Sequence, residues 1–311
     1  MAAPRVKGLC GFGLEVPDLE VASAFYGAFG LEAQDHGHAV SLRSPGREQA
    51  EAVLTAGRDK KLHHVSFFID PKERDAFAEK LKAAGLDVKE TAPEGWIREG
   101  LWFEDPWGTW IHLNPYKPTE PESPPGPPSN MHGRAERIDV HLWQDMPKDR
   151  APQRIGHMLM FTQEWEKTEA FYCDVLGFQT SDRVTDKVVF MSAGDGIIDH
   201  HCFGLINNTH RGIQHASFQV PSFDDIGFGA FRMTEAGYKE GFGPGRHALA
   251  SNLFYYVRDP WGSWAEYYAD MDKISPAWTA ADFEVPPYVW GPEWSPEFWG
   301  GVMNANLEPA G

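Results

Sequence analysis

Asp105-Pro106-Trp107-Gly108-Thr109-Trp110 recurs as Asp259-Pro260-Trp261-Gly262-Ser263-Trp264. Upstream of each string the same markers return in the same order. His64-Val65-Ser66-Phe67 answers His215-Ala216-Ser217-Phe218, Gly85 answers Gly237, and Ala24-Phe25-Tyr26 answers Ala170-Phe171-Tyr172. The offsets, from the N-terminal marker onward, are 146, 151, 152 and 154 residues, so the copies drift only by small loop insertions. A module of roughly 110–120 residues is repeated in tandem, a period too long for a solenoid array.

Each copy reads strand, helix, strands, strand, helix, strands, an α+β pattern. In the second copy a strand is expected over Ile155 to Phe161 and a helix over Glu164 to Leu176, closed by Gly177. Short strands fit Val188 to Met191 and Cys202 to Ile206, and Gln214 to Val220 alternates polar with apolar. A second helix begins near Ser222, with Asp225 three residues on as a capping-box-like signal, and stops before Gly237. Leu253 to Arg258 and Trp264 to Tyr268 form a last strand pair around the Asp-Pro-Trp-Gly turn. The domains expected are 1–117 and 154–274. A proline-rich linker (118–153) joins them, and a tail rich in proline and tryptophan (275–311) follows as a strap on the body or a neighbouring subunit.

The 311 residues carry a net charge of −17, so a nucleic-acid or anionic-membrane partner is not expected. No apolar run is long enough to span a bilayer, and no secretory signal is read. Cys10, Cys173 and Cys202 lack paired spacing, which points to a reducing, cytoplasmic setting. Cys10 reads as a small buried hydrophobe, and His210 as a solvated turn residue.

Strand parity in the second copy gathers three polar residues. His157 shares a face with Leu159 and Phe161. His215 shares one with Ser217 and Gln219, while Ala216, Phe218 and Val220 point the other way. Glu266 shares parity with Trp264 and Tyr268. Two neutral imidazoles and a carboxylate are the ligand set of a facial Fe(II) site whose remaining positions stay open for a chelating substrate and O₂; Mn(II) is the alternative metal.

His157, His215 and Glu266, in that order within a duplicated module, resemble the type I extradiol ring-cleaving dioxygenases of the vicinal oxygen chelate superfamily. So do Asp199-His200-His201-Cys202-Phe203-Gly204-Leu205, Gly245-Arg246-His247 and Tyr256 ahead of Pro260-Trp261-Gly262. The resemblance covers about residues 6–116 and 153–272. It implies a curved open barrel in each domain, built from a pair of βαβββ modules, and cleavage of a catechol by O₂ beside its diol, in aromatic-compound catabolism. Metal ligands His157, His215 and Glu266 are implied, with His201 as acid/base, Tyr256 bonded to the bound catecholate oxygen and His247 facing the other hydroxyl. An ungapped count back from His215 favours His200 over His201, so that choice stays open. A homo-oligomer is expected.

Projected onto the first copy, His157 falls on Gly11, His215 on His64 and Glu266 on His112, so that copy is expected to serve as scaffold. Two other readings compete: a glyoxalase- or epimerase-like metalloenzyme, which would use four ligands with more than one carboxylate, and a metal-free binding protein of the bleomycin-resistance type. Phe190, Met191, Phe203, Leu249 and Phe254 are the expected pocket walls.

Overall fold

In the computed structural model the described residues are 3–116, 118–119, 128–146, 151–293 and 298. Pro121, Pro124, Pro125 and Pro127 of the linker and Trp294 and Trp299 of the tail lie outside them.

The repeated string is a turn that satisfies its own backbone. Asp105 Oδ1 accepts from the amides of Trp107 (3.0 Å) and Thr109 (2.9 Å), and Asp259 Oδ1 accepts from those of Trp261 (2.9 Å) and Ser263 (3.0 Å). Gly108 and Gly262 supply the left-handed step, at φ 83° and 95°. Each aspartate keeps its second oxygen for the other copy. Asp105 Oδ2 accepts from the Tyr172 hydroxyl at 3.3 Å, and Asp259 Oδ2 accepts from Lys60 Nζ at 2.6 Å.

Each copy forms one sheet. In the first, the strands lie in the order Glu32–Asp35, Ala39–Arg43, Ala52–Ala56, Gly8–Val16, Lys61–Phe68, Trp110–Asn114, Leu101–Glu104. The second repeats it as Gln179–Val184, Val188–Ser192, Phe203–Asn207, Arg154–Thr162, Gly212–Gln219, Trp264–Ala269, Leu253–Arg258, and adds Gly241–His247. Tail strands extend both edges, Asp282–Phe283 beside Gln179–Val184 and Tyr288–Trp290 beside Gly241–His247.

Helices back the sheets. Leu19–Phe29 is capped by the Asp18 carboxylate, which accepts from the amides of Glu20 and Val21, and it ends on left-handed Gly30. It packs against the other copy: Phe29 stacks on Tyr267 at 3.9 Å and meets Phe218 edge-on at 5.5 Å. Reciprocally, Phe67 of the first sheet meets Tyr172 and Phe178 edge-on. Both copies thus share one apolar core. Emptying the Phe29 position would cost about 3–5 kcal/mol.

The segment expected as one helix over 164–176 is α-helical over Trp165–Phe171 and then widens into a π-turn over Tyr172–Leu176, closing on left-handed Gly177. Ser222 caps Phe223–Glu235 by accepting from the Asp225 amide. Among the described residues no helix is long and apolar enough to cross a membrane.

Candidate metal centre

Sheet register sets up the site. His157 lies opposite Ser217, and Ser217 lies opposite Glu266 in the next strand; His215 is two residues before Ser217 on the same face. The opposite faces of these strands carry Met158, Ala216, Phe218 and Tyr267 into the core.

The structure brings His157, His215 and Glu266 together, with one ligand atom from each lying within 4.8 Å of the others. His157 Nε2 is 3.0 Å, and His215 Nε2 3.4 Å, from Glu266 Oε2. All three side chains are buried, and His157 Nδ1, His215 Nε2 and Glu266 Oε1 lack a hydrogen-bond partner. Buried polar atoms left this way are costly unless something else satisfies them.

Gln214 Oε1 contacts His215 Nδ1, and the Gln214 amide donates to the Phe298 carbonyl at 3.0 Å. The imidazole therefore carries its proton on Nδ1 and turns the Nε2 lone pair inward. Burial pushes His215 down to about 3 against the pull of Glu266. Burial also opposes ionisation of Glu266, but the charge and hydrogen bond of His157, with His247 and His215, hold that carboxyl well below its ordinary value. Two imidazoles facing an ionised carboxylate form a donor set suited to a divalent ion.

His157 and His215 line a cavity together with His201, His247 and Tyr256. His247 closes the strand Gly241–His247. Its Nδ1 donates to the Pro287 carbonyl at 3.1 Å, leaving Nε2 to accept at 3.1 Å from the Tyr256 hydroxyl. Burial, and after it the charge of Glu266, pushes the Tyr256 phenol well above its ordinary value.

His200 and His201 part company. His201 lines the cavity with its ring 4.6 Å from that of His157, and burial, then the neighbouring histidines, pushes it well below its ordinary value. His200 turns away to Asp182, Nε2 to Oδ2 at 2.8 Å, and meets His201 Nδ1 to Nδ1 at 3.1 Å. A carboxylate only accepts, so His200 carries its proton on Nε2. Its Nδ1 then accepts from His201, which leaves a lone pair on His201 Nε2. Asp182 is fixed in turn by the amide of Ala281, 2.9 Å from its Oδ1.

The cavity extends along Leu159, Val184, Val188, Phe190 and Ile206, and tail residues Val285, Pro286, Pro287 and Phe298 also line it. Of the expected walls, Phe190 and Leu249 line it. Met191 and Phe203 belong to the core, and Phe254 stacks behind His247 at 4.3 Å. Parity alone did not show which face of Val188–Ser192 looks inward. His210 lies in the expected bend but is half-buried, its ring 4.8 Å from that of Phe161, and so is less solvated than expected.

The first copy has the same register, with Gly11 opposite Ser66 and Ser66 opposite His112. The interior there is filled. A Cβ on Gly11 would sit 2.1 Å from the Glu51 carbonyl oxygen. His64 packs against Trp96 and Trp102, and His112 stacks on Trp102 at 4.4 Å. The buried Arg98 guanidinium donates to Ser66 Oγ at 2.6 Å; after burial, its charge is the next influence pushing His64 and His112 down. A fixed cation already occupies that interior.

Sequence reasoning missed Gln214, Asp182 and Asn252. The partners of Gln214 and Asp182 come from distant segments, and Asn252 sits in a loop whose conformation carries no glycine signal.

The family model described as "Glyoxalase/Bleomycin resistance protein/Dioxygenase superfamily" matches residues 11–113 and 154–267. Metapyrocatechase 2 of Cupriavidus necator is 36% identical over 303 residues, spanning 94% of this chain and 92% of the relative. A Mn(II)-bound glyoxalase from Novosphingobium aromaticivorans shares the fold at TM-score 0.74 and 22% identity, covering 99% of this chain and 96% of that one. An extradiol ring-cleaving dioxygenase from B. fuscum shares it at TM-score 0.77 and 19% identity, covering 98% and 86%.

Proposed function

This chain belongs to the Glyoxalase/Bleomycin resistance protein/Dioxygenase superfamily, and we propose that it is an extradiol dioxygenase, opening a catechol ring beside its diol to a muconic semialdehyde-type product. The carrying observation is the convergence of His157, His215 and Glu266, the two histidines lining a cavity that His201, His247 and Tyr256 also line. The 36% identical metapyrocatechase supports the same reading.

His157, His215 and Glu266 would hold Fe(II), with Mn(II) as the alternative. Such an ion would supply the redox chemistry by which a chelated catecholate reacts with O₂. The chain's own residues handle protons and orientation. His201 Nε2 carries a lone pair able to take a proton from the entering catechol, and His247 Nε2 gains one once the Tyr256 hydroxyl turns from it to the substrate. The Tyr256 hydroxyl, kept protonated by burial and by Glu266, donates to a catecholate oxygen. Protonated after that first transfer, His201 would hold a proton available to the oxygen substrate. The tail residues Pro286, Pro287 and Phe298 help exclude water.

A glyoxalase-like site would gather a second carboxylate. Among the described residues the cluster holds one. The test is O₂ uptake by Fe(II)-loaded protein with a panel of catechols, together with the appearance of a yellow ring-opened product. Iron-replete protein that consumes no O₂ with any catechol overturns the proposal.

A further inference from the structure

Asn252 is the one cavity-lining side chain, outside the metal cluster, whose buried polar atoms are left without partners among the described residues. It is 1% exposed, and neither Nδ2 nor Oδ1 finds a hydrogen-bond partner. It lines the cavity that His201, His247 and Tyr256 also line.

The chain goes to unusual lengths to put it there. Ala250 and Ser251 before it are both left-handed, at φ 65° and 55°, a conformation L side chains rarely adopt. That loop is pinned from several sides. Ser251 Oγ donates to Asp272 Oδ2 at 2.6 Å, Arg246 Nη1 donates to the Ser251 carbonyl at 2.6 Å, and the Asp272 amide donates to the Ala250 carbonyl at 2.8 Å. The Asn252 carbonyl accepts from the His247 amide at 3.0 Å. Strained backbone persists where surroundings over-determine it, and such places cluster at ligand sites.

An amide offers a donor and an acceptor side by side, so its best complement is a group that both donates and accepts: a hydroxyl. A carboxylate would only accept, and among the described residues no lysine or arginine lines the cavity to neutralise one. Leu159, Val184, Val188, Phe190 and Ile206 form an apolar wall suited to an uncharged substituent.

We propose that Asn252 is a substrate-recognition residue whose amide pairs with a hydroxyl of the bound catechol, while the apolar wall takes an uncharged ring substituent. This rests on the catechol reading above. The hydroxyl is either the diol oxygen that keeps its proton or an additional hydroxyl on the ring.

The experiment compares kcat/KM of Fe(II)-loaded wild type, Asn252→Ala and Asn252→Asp on 4-ethylcatechol, pyrogallol and 3,4-dihydroxyphenylacetate. Wild type should favour 4-ethylcatechol over the anionic substrate by about tenfold or more. Both variants should keep wild-type iron content. A loss of about tenfold or more on 4-ethylcatechol identifies the diol hydroxyl as partner, and a loss confined to pyrogallol identifies an added one. Asn252→Asp keeps the side-chain shape and decides the matter if Asn252→Ala fails to fold. Variants within about twofold of wild type on every substrate overturn the inference and leave the ring-cleavage reading intact. Preference for the anionic substrate overturns the uncharged-substituent half. Wild type that oxidises none of the three overturns both.

Discussion

His200 and His201 face each other Nδ1 to Nδ1 at 3.1 Å, and behind them Asp182 Oδ2 lies 2.8 Å from His200 Nε2. The carboxylate fixes the tautomer of His200, and through it that of His201, so the cavity-lining ring presents a lone pair on Nε2. Asp182→Asn and His200→Gln should therefore slow turnover by about 10- to 100-fold, the usual scale for removing an orienting partner. KM and iron content should stay near wild type, which steady-state kinetics with metal analysis would show. Unimpaired kcat in both variants would remove Asp182 and His200 from the account.

The two copies make opposite predictions for matching histidines. His64 occupies in the first sheet the register position of His215 in the second, opposite Trp110 and Trp264 respectively. Its surroundings are Trp96, Trp102 and a buried cation, which is no setting for a metal. His64→Ala should cost stability through the cavity it leaves, yet retain iron and turnover per folded molecule. His215→Ala should abolish both.

Lys60 Nζ sits 2.6 Å from Asp259 Oδ2 with both side chains buried, tying the first copy to the turn of the second. Removing one partner strands the other charge, so Lys60→Ala should destabilise by about 3–5 kcal/mol. Lys60→Met combined with Asp259→Asn should cost less, because no charge is left buried alone. Urea midpoints of the three proteins give the comparison, and an unchanged midpoint for Lys60→Ala would contradict it.

Acid should unfold the protein partly through buried neutral histidines. Burial, then the Arg98 charge, pushes His112 down to about 3. An unfolded histidine titrates near ~6.5. With its folded value depressed, His112 contributes stability that is fully present above about pH 6.5 and is lost as pH falls towards about 3, at about 1.4 kcal/mol per unit. His112→Gln retains a donor for the Glu99 carbonyl, which His112 Nε2 contacts at 2.8 Å. The variant should lose stability less steeply over that window by one proton's worth. Parallel slopes for the two proteins, measured by denaturation at several pH values, would argue against the assignment.

The duplication was readable because the Asp-Pro-Trp-Gly turn leaves little freedom. It needs a carboxylate to cap two amides and a left-handed glycine, and both survive in each copy. Strand parity grouped His157, His215 and Glu266, and the register sets them on one face. Parity could not separate His200 from His201, because the short strand Phe203–Asn207 begins only after them and the chain bends there. What distinguishes them is Asp182, a contact made by folding and invisible to local pattern. Asn252 was hidden for a related reason: left-handed Ala250 and Ser251 are held by Asp272 and Arg246 and not by glycine. The tail's role at the cavity, through Pro286, Pro287 and Phe298, likewise depends on where distant segments land.

Metal analysis of anaerobically purified protein bears most directly on the centre itself. Wild type should carry a single ferrous or manganous ion per chain, and Glu266→Ala should carry none while keeping the same circular dichroism. An ion retained by Glu266→Ala, or one lost on mutating His64 instead, would contradict the placement of the reactive metal among His157, His215 and Glu266.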